Sequence, residues 1–208
     1  MHKKNYKSAG KKISEASKAL IMIHGRGGNS EEVLKLAQHL PLSDFTILAP
    51  QAYNNSWYPL SFLAPEEQNQ PWLDTALGIL REIELELNEK GIASDNIYFF
   101  GFSQGACLAL EYITRNAKRY GGAVAIIGGL IGETINTGNY ISNFEKTPVF
   151  IGTSDPDTHV PLERVEKTAE ILRQKNAEIL LKVYQNAGHR VLIEEIEQAK
   201  DFIFNRIS

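Results

Sequence analysis

The chain has almost no cysteine, no long apolar run and no surplus of basic charge, and each lack removes a class of protein. Cys107 is the one cysteine in 208 residues, so no intramolecular disulfide can form and nothing depends on an oxidising compartment. The apolar run Ala19 to Ile23 is too short for a signal-peptide core and runs straight into His24-Gly25. No segment approaches the roughly 18 apolar residues of a spanning helix. A cytoplasmic address without stable membrane insertion is expected. With Lys and Arg at 22 and Asp and Glu at 25, the net charge of -3 offers no field for nucleic acid. Five lysines (Lys3, Lys4, Lys7, Lys11, Lys12) gather in the first 12 residues. They read as a basic arm, either a solvated tail or a short edge strand. No CxxC, no HExxH and no spaced His/Asp cluster indicates a metal, and no cofactor is expected.

What is present is an ordinary globular composition, 43% apolar and 23% charged, at a length that one domain over 19–208 can accommodate. Apolar runs at Ala19 to Ile23, Phe45 to Ala49, Ile97 to Phe100, Ala123 to Ile127, Pro148 to Ile151 and Ile179 to Tyr184 alternate with segments of helical period. The runs are mostly continuous, as strands buried on both faces should be. The alternation predicts an α/β fold, a mostly parallel central sheet flanked by helices on both faces, with six strands as a minimum. Helices are expected at about Ser30 to Leu40, with Ser30 as cap, Leu73 to Lys90, Gln104 to Ala117, Leu162 to Lys175 and Val191 to Phe204. The segment Tyr53 to Trp72 has neither period, and a structureless stretch of that length usually marks a functional loop.

Gly101-Phe102-Ser103-Gln104-Gly105 follows a predicted strand and precedes a predicted helix. This is the G-x-S-x-G nucleophile elbow of the α/β-hydrolase fold, in which a sharp turn lifts the serine above the sheet and the glycines give clearance. A serine hydroxyl needs a base to take its proton. In that fold the partners follow in the order serine, acid, histidine. Of His2, His24, His39, His159 and His189, only the last follows the final predicted strand, so His189 is the candidate base. The acid should follow the strand ending at Ile151, where Asp155 and Asp157 compete and spacing does not choose. Whichever loses should serve an Asx-type turn or cap the next helix. An amide of the Gly-rich segment His24 to Gly28, with that of Gln104, would form the oxyanion hole. Cys107, one helical turn beyond Ser103, reads as a small core residue.

His24-Gly25-Arg26-Gly27, the elbow, Asp157-Thr158-His159-Val160-Pro161 and Gly188-His189 together resemble the bacterial phospholipase/carboxylesterase family, relatives of the acyl-protein thioesterases. The likeness runs from about residue 19 onward. The resemblance implies a Ser103, Asp157 and His189 triad, since the family's acid precedes a Val-Pro pair, although Thr158 stands where the family has proline. It implies the Arg26 and Gln104 amides as oxyanion donors and a small ester or thioester as substrate.

The roughly twenty residues between the fifth and sixth expected strands, counting the arm, are too few for a large cap domain. The site should be open, walled by Trp57, Tyr58, Phe62 and Leu63 as an acyl groove, with His159 also on the substrate side. Those aromatics would alternatively anchor the loop to the core. Short to medium acyl chains are expected, and a homodimer is the one protein partner entertained. The alternatives are hydrolysis of another acyl bond, such as a lactone or peptide, and a catalytically silent scaffold used for binding.

Overall fold

The structure is a computed structural model that describes residues 1–205. Its strands are β1 (Tyr6–Gly10), β2 (Lys18–Ile23), β3 (Phe45–Pro50), β4 (Ile97–Phe102), β5 (Gly122–Ile126), β6 (Pro148–Asp155) and β7 (Glu178–Gln185). They form a seven-stranded sheet in the order β1-β3-β2-β4-β5-β6-β7. All pairings are parallel except that of β1 with β3. The helices are α1 (Ser30–Leu34), α2 (Trp72–Glu89), α3 (Gln104–Arg115), α4 (Leu162–Gln174) and α5 (Ile193–Ala199). The chain steps from β2 outward to β3, then crosses back over β2 to β4. With right-handed crossovers, that reversal puts α1 on one face and α2, α3 and α4 on the other. It also opens a crevice between the ends of β2 and β4, the place where open α/β sheets bind their ligands.

Most of the continuous apolar runs behave as expected of doubly covered strands: β3 and β5 are buried at every position, and β2 and β4 at all but one end residue, but the run Ile179 to Tyr184 forms the edge strand β7, in which no residue is fully buried. Phe99, at the centre of β4, has no exposed surface and meets Tyr120 edge-on at 5.3 Å and Tyr112 at 5.6 Å. Burying such a ring contributes about 1.5–3 kcal/mol, so the sheet centre rests on these side chains and not on propensity. Below the site, the buried Glu111 of α3 accepts from Arg115, Tyr140 and the Ile131 amide. Those bonds fix α3 to the chain that follows β5.

Several expectations are corrected. Of the two readings of the basic arm the solvated tail falls and the edge strand stands: residues 6–10 pair antiparallel with β3 and add the seventh strand. Asn29, not Ser30, caps α1, in a reciprocal capping box with Glu32. That helix tightens to a 3-10 turn at Lys35–His39, and Leu40, which precedes Pro41, is extended. Proline excludes the helical conformation from the residue before it. The last helix is α-helical only to Ala199 and widens to a π turn over Lys200–Phe204. Between β5 and β6 there is one 3-10 turn, Thr137–Asn139, and no cap domain. Among the described residues no helix is long and apolar enough to cross a membrane.

The arm carries His2, whose ring sits 5.5 Å from that of Trp57 and 5.4 Å from that of Trp72. Its Nδ1 accepts from the Tyr53 amide at 3.0 Å, so Nε2 carries the proton and donates to the Trp57 carbonyl at 2.8 Å. Burial lowers its pKa from 6.5, against the pull of the Trp57 carbonyl and with help from the N-terminal charge. The fold thus favours neutral His2, whose contribution is complete above 6.5 and is lost below it, as pH falls through the lower pKa of the folded state. The stability difference between wild type and His2→Gln, from urea midpoints, should be larger at about pH 8 than at about pH 5. Equal differences would show that His2 does not titrate against folding.

Candidate active site

Four strand ends supply the site. Ser103 follows β4, Arg26 follows β2, Asp157 follows β6 and His189 follows β7. At the β4 end, Ser103 takes φ 54 and ψ -120, a conformation sparsely populated outside glycine, and its own amide donates to the Ile126 carbonyl at 2.9 Å. The turn exists because its neighbours lack side chains. A Cβ on Gly101 would stand 2.6 Å from the Ala106 nitrogen, and one on Gly105 2.6 Å from the His24 carbonyl oxygen. No real contact is that short, so α3 could not approach β2 and β4 this closely with alanine at either place.

The His189 Nε2 lies 2.8 Å from the Ser103 Oγ, and its Nδ1 lies 2.9 Å from an Asp157 carboxylate oxygen. The other Asp157 oxygen accepts from the amides of His159 at 2.8 Å and Val160 at 2.9 Å. Burial works to raise the Asp157 pKa, but those two amides and His189 outweigh it and hold the carboxyl below its ordinary value. Asp155 meets the site only through its carbonyl, which accepts from the Asn186 amide at 2.8 Å. The Asx-type bonds expected of the losing aspartate are therefore made by Asp157 itself. Neither the Arg26 nor the Gln104 amide has a hydrogen-bond partner among the described residues, so both are free to donate.

A cavity of about 380 Å³ opens over Ser103, walled by Tyr58, Pro59, Leu60, Ser61 and Phe62 on one side and by His159, Val160 and His189 on the other. Gln104, Cys107 and Arg26 complete it.

Residues 5–207 match the phospholipase/carboxylesterase family. The chain belongs to that family. It is accordingly a hydrolase of the carboxylesterase type. A crystal structure of a phospholipase/carboxylesterase from Dyadobacter fermentans is 48% identical, covers 97% of each chain and superposes with a TM-score of 0.96. The acyl-protein thioesterase 1 of Saccharomyces cerevisiae is 28% identical over 95% of this chain and 96% of its own length. The Bacillus cereus carboxylesterase, at 22% identity and a TM-score of 0.78 over 96% of this chain and 93% of its own, shares the fold.

In this carboxylesterase-family chain, Tyr58, Phe62 and His159 lie on the cavity wall, and two other residues expected there do not. Trp57 is wholly buried, its indole donating to the His24 carbonyl at 2.9 Å, and its amide donates to the Gln104 side chain at 2.9 Å. It anchors the loop. Leu63 faces a neighbouring groove with Thr134 and Pro161. His159 stands edge-on to His189 at 4.8 Å between ring centres. Sequence reasoning missed Pro59, Leu60, Ser61 and Val160. It also missed that Arg26 and Gln104 hold the loop through their side chains. The loop's lack of periodicity gave no sign of which residues turn inward.

Cys107 lines the cavity floor but is 1% exposed, and burial pushes its thiol up to about 12. A thiol so protonated is a poor nucleophile. The folded protein should resist iodoacetamide at mildly alkaline pH and react on unfolding, as read by mass spectrometry. Rapid alkylation in the native state would contradict this burial.

Proposed function

We propose that this chain cleaves carboxylic esters or thioesters of short to medium acyl chains through an acyl-enzyme on Ser103. The observation that carries the reading is the continuous relay of 2.8 Å and 2.9 Å from Ser103 through His189 to Asp157. In the first half-reaction the Ser103 Oγ attacks the carbonyl carbon as its proton passes to His189 Nε2. The Asp157 carboxylate holds the Nδ1 proton in place and stabilises the imidazolium. The Arg26 and Gln104 amides donate to the oxygen that becomes negative, at the N-terminus of α3 where the helix dipole also favours that charge. Collapse expels the alcohol or thiol, protonated by His189. A water, deprotonated by the same His189, then releases the acid and restores Ser103.

The family and the thioesterase name of the yeast relative support the ester and thioester class. The wall of Tyr58, Leu60, Phe62 and Val160 gives an acyl chain apolar surface, and the absence of a cap domain leaves the far end open.

Ser103→Ala and His189→Ala are each expected to lower kcat by about 10⁴, since triad members act as a unit, and Asp157→Asn by about 10³ to 10⁴. Asp155→Asn should lose less than about tenfold. Initial rates on p-nitrophenyl esters, with a fluorophosphonate probe to label Ser103, measure this. Residual rates within tenfold of wild type in the serine or histidine variant would remove the mechanism.

Chain length gives the second measurement. kcat/KM should climb while added methylenes still find wall, at about 1 kcal/mol each, then level beyond about eight to ten carbons. No rate jump should accompany micelle formation. A continued rise to palmitoyl esters would mean a far more enclosed groove.

A further inference from the structure

The two residues whose amides serve the oxyanion in this reading also carry the cavity wall on their side chains. The Arg26 guanidinium donates to the carbonyls of Tyr58 at 2.9 Å, Pro59 at 2.9 Å and Leu60 at 2.6 Å, and to the Ser56 hydroxyl at 3.0 Å. Its carbon also lies 6.0 Å from the centre of the Tyr58 ring. The Gln104 carboxamide is buried and meets the same strip of backbone from the other side. It accepts from the Trp57 amide at 2.9 Å and donates to the Tyr58 carbonyl at 2.8 Å. That Tyr58 carbonyl is shared by both side chains.

Tyr58, Pro59 and Leu60 are wall residues, and no regular secondary structure positions them. Their backbone is held in place by acceptors and donors borrowed from the segments after β2 and β4. A guanidinium suits this task because its planar fork presents several donors in fixed directions, which a lysine does not. Buried amide bonds such as those of Gln104 are the stronger for being out of water.

We propose that Arg26 and Gln104 determine acyl-chain selectivity through their side chains, by locking the Tyr58–Leu60 wall to the two segments that supply the oxyanion amides. The inference rests on the ester-hydrolase reading above. A methylene contributes to catalysis only when it meets a wall already in position. A wall free to shift therefore loses the discrimination between acyl lengths sooner than it loses reaction at the carbonyl.

The test compares Arg26→Met, Arg26→Lys, Gln104→Met and the double variant Arg26→Met/Gln104→Met with wild type, on p-nitrophenyl acetate and on the best longer ester. Wild type is assayed first, and its failure to turn over any ester would sink the ester reading itself. Given wild-type turnover, the ratio of kcat/KM for the longer ester to that for acetate should fall about fivefold or more in each single variant, lysine included. The double variant should fall no more than about twofold beyond the worse single, because both side chains act on one carbonyl. A common loss at all acyl lengths would show a merely structural role and overturn the proposal. So would a wild-type profile in Arg26→Lys, or single effects that multiply in the double variant.

Discussion

Ser103 sits in a backbone conformation, φ 54 and ψ -120, that costs of order 1–3 kcal/mol and persists only where the surroundings over-determine it. Everything else in the site is arranged around that turn. Gly101 and Gly105 let α3 press against β2 and β4, and the Ile126 carbonyl of the neighbouring strand takes the Ser103 amide. The strain directs the hydroxyl at His189 and leaves the Gln104 amide at the start of α3 without an internal partner.

The second structural constraint is the placing of the segment between β3 and α2, which has little regular structure yet is tightly held. His2 grips it at Tyr53 and Trp57, Gln104 at Trp57 and Tyr58, Arg26 from Ser56 to Leu60, and Asn69 at Leu60 and Ser61. Each of these bonds replaces a ladder or helical bond that the segment does not make for itself, so its buried polar backbone is satisfied by side chains. The cavity wall is consequently preformed. Its geometry depends on residues drawn from the first strand's approach, the segment after β2 and the start of α3.

Part of this was legible because it depends on local chemistry. Continuous apolar runs of four or five residues announced the buried strands, and the elbow announced itself because only glycine fits two positions before and two after Ser103. His189 could be picked out by chain order alone. The choice between Asp155 and Asp157 was not local. Both lie in one turn, and only the path of the β7 end toward β6 puts His189 beside the second and draws the first into a backbone bond with Asn186. The arm was left open for the same kind of reason: five lysines suit a solvated tail as well as an edge strand, and only the register of residues 6–10 against β3 decides for the strand.

The sequence by itself determined the fold class and singled out Ser103 and His189 as the candidate nucleophile and base, because hydrophobic period and glycine clearance are properties of short stretches of chain. Tertiary structure alone decided which aromatic became wall and which became anchor. Trp57 and Tyr58 are neighbours of similar character, yet the first turns into the core under His24 and the second faces the cavity. The backbone of both is held by the Gln104 side chain, and that of Tyr58 by Arg26 as well, from segments far away in sequence. A preference created by contacts across such separations leaves no periodic trace in the residues that it positions.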